Sequence, residues 1–163
     1  HQARGGGHGR GARRRDRGLL IVSEAFGGAA GASTVSSYRL DRDGDLIAVD
    51  PTVPTTETAA CWIAVSGNGR FAYSTNGGSG SVTGFLVEHD GDLEILDADG
   101  RTGVTGAGSV PLDAAFSDGG RYLYVLSSGI GEVSVFTQEA DGGLTPLPGA
   151  TGLPATANGM AAR

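Results

Sequence analysis

The stretch Ser66-Gly67-Asn68-Gly69-Arg70-Phe71-Ala72-Tyr73 returns 51 residues later as Ser117-Asp118-Gly119-Gly120-Arg121-Tyr122-Leu123-Tyr124. Val82-Thr83-Gly84-Phe85 returns in the same register as Val133-Ser134-Val135-Phe136, and Asp90-Gly91-Asp92-Leu93 as Asp141-Gly142-Gly143-Leu144. A damaged copy precedes both. In it, Leu19-Leu20-Ile21-Val22-Ser23 stands for the second strand, Val35-Ser36-Ser37-Tyr38 for the third and Asp43-Gly44-Asp45-Leu46 for the closing hairpin. Its offset to the next copy is 51 at the start and 47 at the end, which puts four extra residues in the loop 26–33. Insertions in a loop cost little.

A period of about 50 residues, filled by short strands and Gly-containing turns, is the signature of propeller blades, sheets that cannot bury their faces alone. In the best copy, residues 61–65, 70–75, 81–87 and 92–96 read as four strands. They are rich in Val, Ile, Tyr, Phe and Thr, and no ten-residue stretch has apolar positions at helical spacing. The fold class is therefore all-β: a partial β-propeller of about three four-stranded antiparallel blades, over residues 18–50, 60–97 and 112–148. A closing strand is expected over 157–162. The first blade lacks its own innermost strand, and the strand near Asn158 is a candidate to supply one.

Residues 1–17 hold six Arg, five Gly and no apolar side chain larger than Ala. Such a basic head cannot offset the entropy of ordering and is expected to be disordered. The chain opens on His1, and the repeat stops abruptly at Gly18, which suggests a truncated or misframed beginning. Without the head the chain carries 6 Arg against 17 Asp and Glu, a net charge of −11. An acidic body argues against nucleic acid or an anionic membrane as partner. The head has no aromatic residue on which a base could stack. No apolar run approaches membrane-spanning length, and the single cysteine leaves the redox compartment open.

The motifs for chemistry are few. Asp41-Arg42-Asp43-Gly44-Asp45 has the look of a calcium loop, but its Gly comes early and Thr52 stands where the bidentate Glu belongs. The same turn recurs at Asp90 and Asp141, so a hairpin explains it better. Gly103 to Gly108 precedes Pro111 rather than a helix and reads as an interblade connection. With His1, His8 and His89 scattered, no catalytic triad, metal site or cofactor site is expected. Cys61, beside Trp62, reads as a small core residue. Arg70 and Arg121 occupy one place in successive copies, which points to a structural bond within each blade. Glu24 differs: Thr75 and Leu126 are read as its counterparts, so the repeat does not demand its carboxylate. It is the single catalytic candidate.

The copies at 66–76 with 80–85, and at 117–127 with 131–136, resemble the lactonase family of seven-bladed propellers, which includes bacterial 6-phosphogluconolactonase. The ending Leu153-Pro154-Ala155-Thr156-Ala157-Asn158-Gly159-Met160-Ala161-Ala162 is similar to that family's closing strand. The resemblance covers 18–163 and implies the C-terminal part of such a ring, with earlier blades absent. It implies hydrolysis of a small cyclic ester, a sugar lactone, by the intact protein, this chain alone being inactive. It gives Glu24 the part of orienting water or acting as general base. Ala60 and Gly77 stand where family arginines are expected, and the channel His belongs to absent blades. The alternative is a noncatalytic platform that binds a small molecule or protein through the channel mouth and the loops 26–33 and 77–80. A truncated arc, with unpaired edges and bare blade faces, is also expected to self-associate.

Overall fold

The computed structural model describes residues 18–163; the expected disordered head lies outside the described residues. Twelve strands form three antiparallel sheets. The first sheet orders β1 (Leu19–Glu24), β2 (Thr34–Leu40) and β3 (Leu46–Pro54). In the second, β4 (Ala60–Val65), β5 (Phe71–Asn76), β6 (Ser81–Val87) and β7 (Leu93–Ile95) follow in chain order. A two-residue strand, β8 (Gly103–Val104), also pairs with β6. The third sheet contains β9 (Pro111–Phe116), β10 (Tyr122–Ser127), β11 (Glu132–Gln138) and β12 (Leu144–Thr151). The helical content among the described residues is one three-residue 3-10 turn, Phe26–Gly28.

The turns repeat because their chemistry does. Gly44, Gly91 and Gly142 hold φ of 94°, 99° and 92° in the three closing hairpins, a backbone region that strains any side chain. Asp41 Oδ1 accepts the N–H groups of Asp43 at 2.8 Å and Asp45 at 2.9 Å, and Asp141 Oδ1 accepts that of Gly143 at 3.0 Å. These carboxylates are spent on their own turns. Arg70 and Arg121 each lie over the ring of the next residue, Phe71 and Tyr122, both at 5.4 Å from the centroid.

Two apolar clusters hold the sheets face to face. Ala64, Phe71, Tyr73 and Val82 of the second sheet meet Ala114, Leu123, Val125 and Phe136 of the third. Between the first and second sheets the buried set is Val35, Phe85 and Leu93, flanked by half-buried Ile21, Val53 and Ile63. Gly91 and Gly142 each lock onto the sheet before their own. Ser37 Oγ donates to Gly91 O at 2.7 Å, and Tyr73 Oη donates to Gly142 O at 2.8 Å.

The first sheet has three strands among the described residues, with none on the inner side of β1, where the sequence reading also gave the first copy none. Three details differ from that reading. The connection at Gly103 to Gly108 contributes β8, because Thr105 N–H reaches Gly80 O at 2.9 Å. Residues 157–162 carry no strand; Met160 N–H is bonded to the side chain of Asp113 on β9 rather than to a backbone ladder. Cys61 is only half-buried and Trp62 is 47% exposed, because β4 is an edge strand whose ladder to β5 is broken by a bulge between Ala60 and Trp62.

Candidate functional site

The C-terminal ends of β1, β5 and β10, the N-terminal ends of β2, β6 and β11 and the connections between sheets all lie at one end of the strands, as antiparallel order requires. Glu24 closes β1 there. The ladders pair Glu24 with Thr34, Asn76 with Ser81 and Ser127 with Glu132. The structural counterparts of Glu24 are therefore Asn76 and Ser127, one residue beyond the Thr75 and Leu126 inferred from sequence. β1 sits one residue out of the repeat register. The hairpin contacts agree: a Cβ on Gly142 would strike Phe71, and one on Gly91 would strike Leu19 rather than Leu20.

The corrected register exposes a shared design. Asn76 Nδ2 donates to Ser81 Oγ at 3.1 Å and Thr83 Oγ1 at 2.9 Å. Ser127 Oγ lies 3.2 Å from Ser134 Oγ. In the first sheet the Thr34 hydroxyl donates to Glu24 Oε2, while the single Ser36 hydroxyl hydrogen lies between Glu24 Oε1 at 2.6 Å and Pro51 O at 2.7 Å. One position in three sheets thus holds a polar residue clamped by hydroxyls of the neighbouring strand, and only in the first is it a carboxylate. Glu24 is partly buried, whereas Asn76 is fully so.

A second carboxylate lies in the connection between the first two sheets. Glu57 is 5% exposed; its Oε1 accepts Arg101 Nε–H at 2.9 Å and its Oε2 accepts Ser81 Oγ–H at 2.8 Å. Through Ser81 it joins the Asn76 clamp, and Thr83 Oγ1 continues the chain to Gly100 O at 2.7 Å. Charge-assisted bonds to both oxygens offset the cost of burying this ion. Half of the Arg101 side chain remains in solvent. Sequence reading missed both residues. Their signal is that Glu57 is the one charge between β3 and β4 and Arg101 the one cation between β7 and β9, 44 residues away. On β9, Asp113 is 3% exposed, with Oδ2 accepting Met160 N–H and Oδ1 without a partner among the described residues.

No group of His, Cys, Asp and Glu among the described residues is arranged to hold a metal. No protein-family model matches the sequence, and no curated protein matches it significantly. Solved structures do match. The periplasmic gluconolactonase of Pseudomonas aeruginosa superposes with a TM-score of 0.62 at 22% identity, over 77% of this chain and 38% of that one. The fold is that of a lactonase-type propeller, in part. A protein from Lactobacillus plantarum superposes at 0.66 with 18% identity, over 85% of this chain and 41% of its own. A Bacteroides fragilis protein described as a candidate 6-phosphogluconolactonase superposes at 0.64 with 16% identity, over 82% and 40%. The chain spans about two fifths of the length of these structures, and at such identities the likeness establishes the lactonase-like fold alone.

Proposed function

We propose that this chain is the C-terminal part of a lactonase-like propeller whose intact ring hydrolyses a small cyclic ester of the sugar-lactone class, with Glu24 activating the water. One observation carries the reading. At the clamp position the other two sheets hold neutral Asn76 and Ser127, so the architecture accepts an uncharged residue, yet the first sheet places an anion there. A carboxylate fixed by two hydroxyls at the channel end of the strands can take a proton from water as its oxygen attacks a lactone carbonyl. The tetrahedral oxyanion then collapses, the ring C–O bond breaks, and the proton returns to the leaving alkoxide. An arginine from another blade stabilises the oxyanion. The chain alone, lacking those blades, is inactive.

The commitment of both Glu24 oxygens to Thr34 and Ser36 favours a second reading, a noncatalytic platform that binds at the channel mouth. The test is a set of aldonolactones offered to the intact propeller and to its Glu24→Gln variant. Loss of hydrolysis in a folded variant supports the role of Glu24. Unchanged hydrolysis removes that role, and failure of every lactone on the intact protein selects the platform.

A further inference from the structure

The connection after Glu24 departs from its two counterparts. Nine residues, 25–33, join the paired ends of β1 and β2, against four at 77–80 and four at 128–131. The excess is five, one more than the sequence offset gave, because β1 is shifted by one position. This longer connection projects from strand ends beside the Glu24 carboxylate rather than from a sheet face.

Its composition isolates one side chain. Residues 25–32 are Ala and Gly apart from Phe26. Phe26 is 59% exposed, more than any other large apolar side chain among the described residues. Its φ is 45°, in the left-handed region that a bulky residue occupies only under strain. Gly27 and Gly28, next along the chain, hold φ of 65° and 79° without that strain. A glycine at position 26 would therefore relieve the backbone, and neither buried cluster would lose a member. The loop itself is pinned. Gly28 N–H donates to Ala25 O at 2.9 Å, Gly31 N–H to Thr58 Oγ1 at 3.0 Å and Ser33 N–H to Glu57 O at 3.3 Å.

A strained aromatic ring held in solvent does nothing for the folded core. Beside a water-activating carboxylate it has a use. Two residues of chain span at most about 7 Å, so the ring is kept within a small substrate's width of Glu24. We propose that Phe26 is a substrate contact of the Glu24 site, its ring packed against the C–H face of a sugar lactone. The proposal rests on the reading of Glu24 given above and adds the residue that holds the ring being opened. A cyclic sugar carries hydroxyls around its rim and C–H bonds on its faces, and the negative face of an aromatic ring attracts those hydrogens while both apolar surfaces leave water. Hydrolysis opens the ring and destroys that face, so the product acid is held less firmly than the lactone.

The test measures binding and turnover separately. Binding is probed with an aldonolactam, which keeps the ring of the lactone and resists cleavage. In the intact propeller, Phe26→Ala should weaken the lactam about tenfold and raise KM for the lactone by the same factor, with kcat within about threefold. Phe26→Tyr, which keeps the ring, should restore both. In this chain, Phe26→Gly should leave the urea unfolding midpoint unchanged or raise it, because strain is removed and no buried contact is lost. Unchanged lactam affinity in Phe26→Ala overturns the proposal. So does a lower midpoint in Phe26→Gly, which would mean that the ring holds the loop. Glu24→Gln keeps the two readings apart. If it hydrolyses lactone as before while Phe26→Ala loses the lactam, the role of Glu24 falls and the contact stands; if hydrolysis is lost while Phe26→Ala binds lactam normally, the contact falls and Glu24 stands.

Discussion

The two sheet junctions differ in completeness. Between the second and third sheets five strands face four, and Phe71, Tyr73, Leu123 and Phe136 are sealed from solvent. Between the first and second, three strands face the rest, and Leu19, Leu20 and Val65 stand exposed around a groove. The repeat supplies equivalent side chains to both. Among the described residues what separates them is one strand, which the first sheet lacks on the inner side of β1. A propeller blade is thus a poor unit by itself: its faces are buried by neighbours and its innermost strand seals two junctions at once.

The largest expected contrast is in the cores. Phe136→Ala should cost about 3–5 kcal/mol in urea unfolding, because it opens a cavity in the sealed junction. Equal losses from Leu20→Ala would erase the distinction between the junctions; a change within about 0.5 kcal/mol, typical of a surface site, is expected there. The hairpin glycines sharpen the comparison further. A Cβ on Gly142 would lie 2.5 Å from Phe71 Cε1, inside the core, while one on Gly91 would lie 2.8 Å from Leu19 Cδ1, an exposed side chain free to move. Both positions strain alanine at positive φ, so Gly142→Ala should cost about 2–3 kcal/mol and Gly91→Ala about 1 kcal/mol in the same assay.

Tyr73 tests the sealed junction through pH. Burial, with a smaller contribution from the Asp141 carboxylate, pushes its phenol well above the ordinary 10.0. The stability tied to that shift is complete below about pH 10 and is lost as pH rises through the folded value. Tyr73→Phe should cost about 1 kcal/mol at neutral pH, for the lost bond to Gly142 O, and should flatten the alkaline fall in unfolding midpoint. An unchanged alkaline profile would mean that another group governs it. The smallest effect is expected at the clamp of the open junction. Glu24→Gln should shift stability by less than about 1 kcal/mol, since Asn76 shows that an amide satisfies the same hydroxyl pair.

Most of the architecture was legible because the turns are written in Gly and Asp at fixed offsets. Residues 81–87 were read with both ends correct, and β4, β5 and β7 within one residue of theirs. The first copy was misread by one position: its entry strand, Leu-Leu-Ile-Val, offers no Tyr or Arg landmark to fix register, and only the ladder to Thr34 does so. That shift hid the likeness of Glu24 to Asn76. Glu57 and Arg101 were invisible for a different reason. They lie in connections that do not repeat, and their pairing depends on how two loops fold over the same strand end. The tail was read as a closing strand over 157–162, and it carries none here.

Residue-resolved hydrogen exchange of β1 against β5 bears most directly on the open junction. The β5 amides should be protected, because β5 is laddered on both sides. Alternate β1 amides, those on the side away from β2, should exchange quickly, because β1 is laddered to β2 alone among the described residues. Uniform protection along β1, equal to that of β5, would contradict the account.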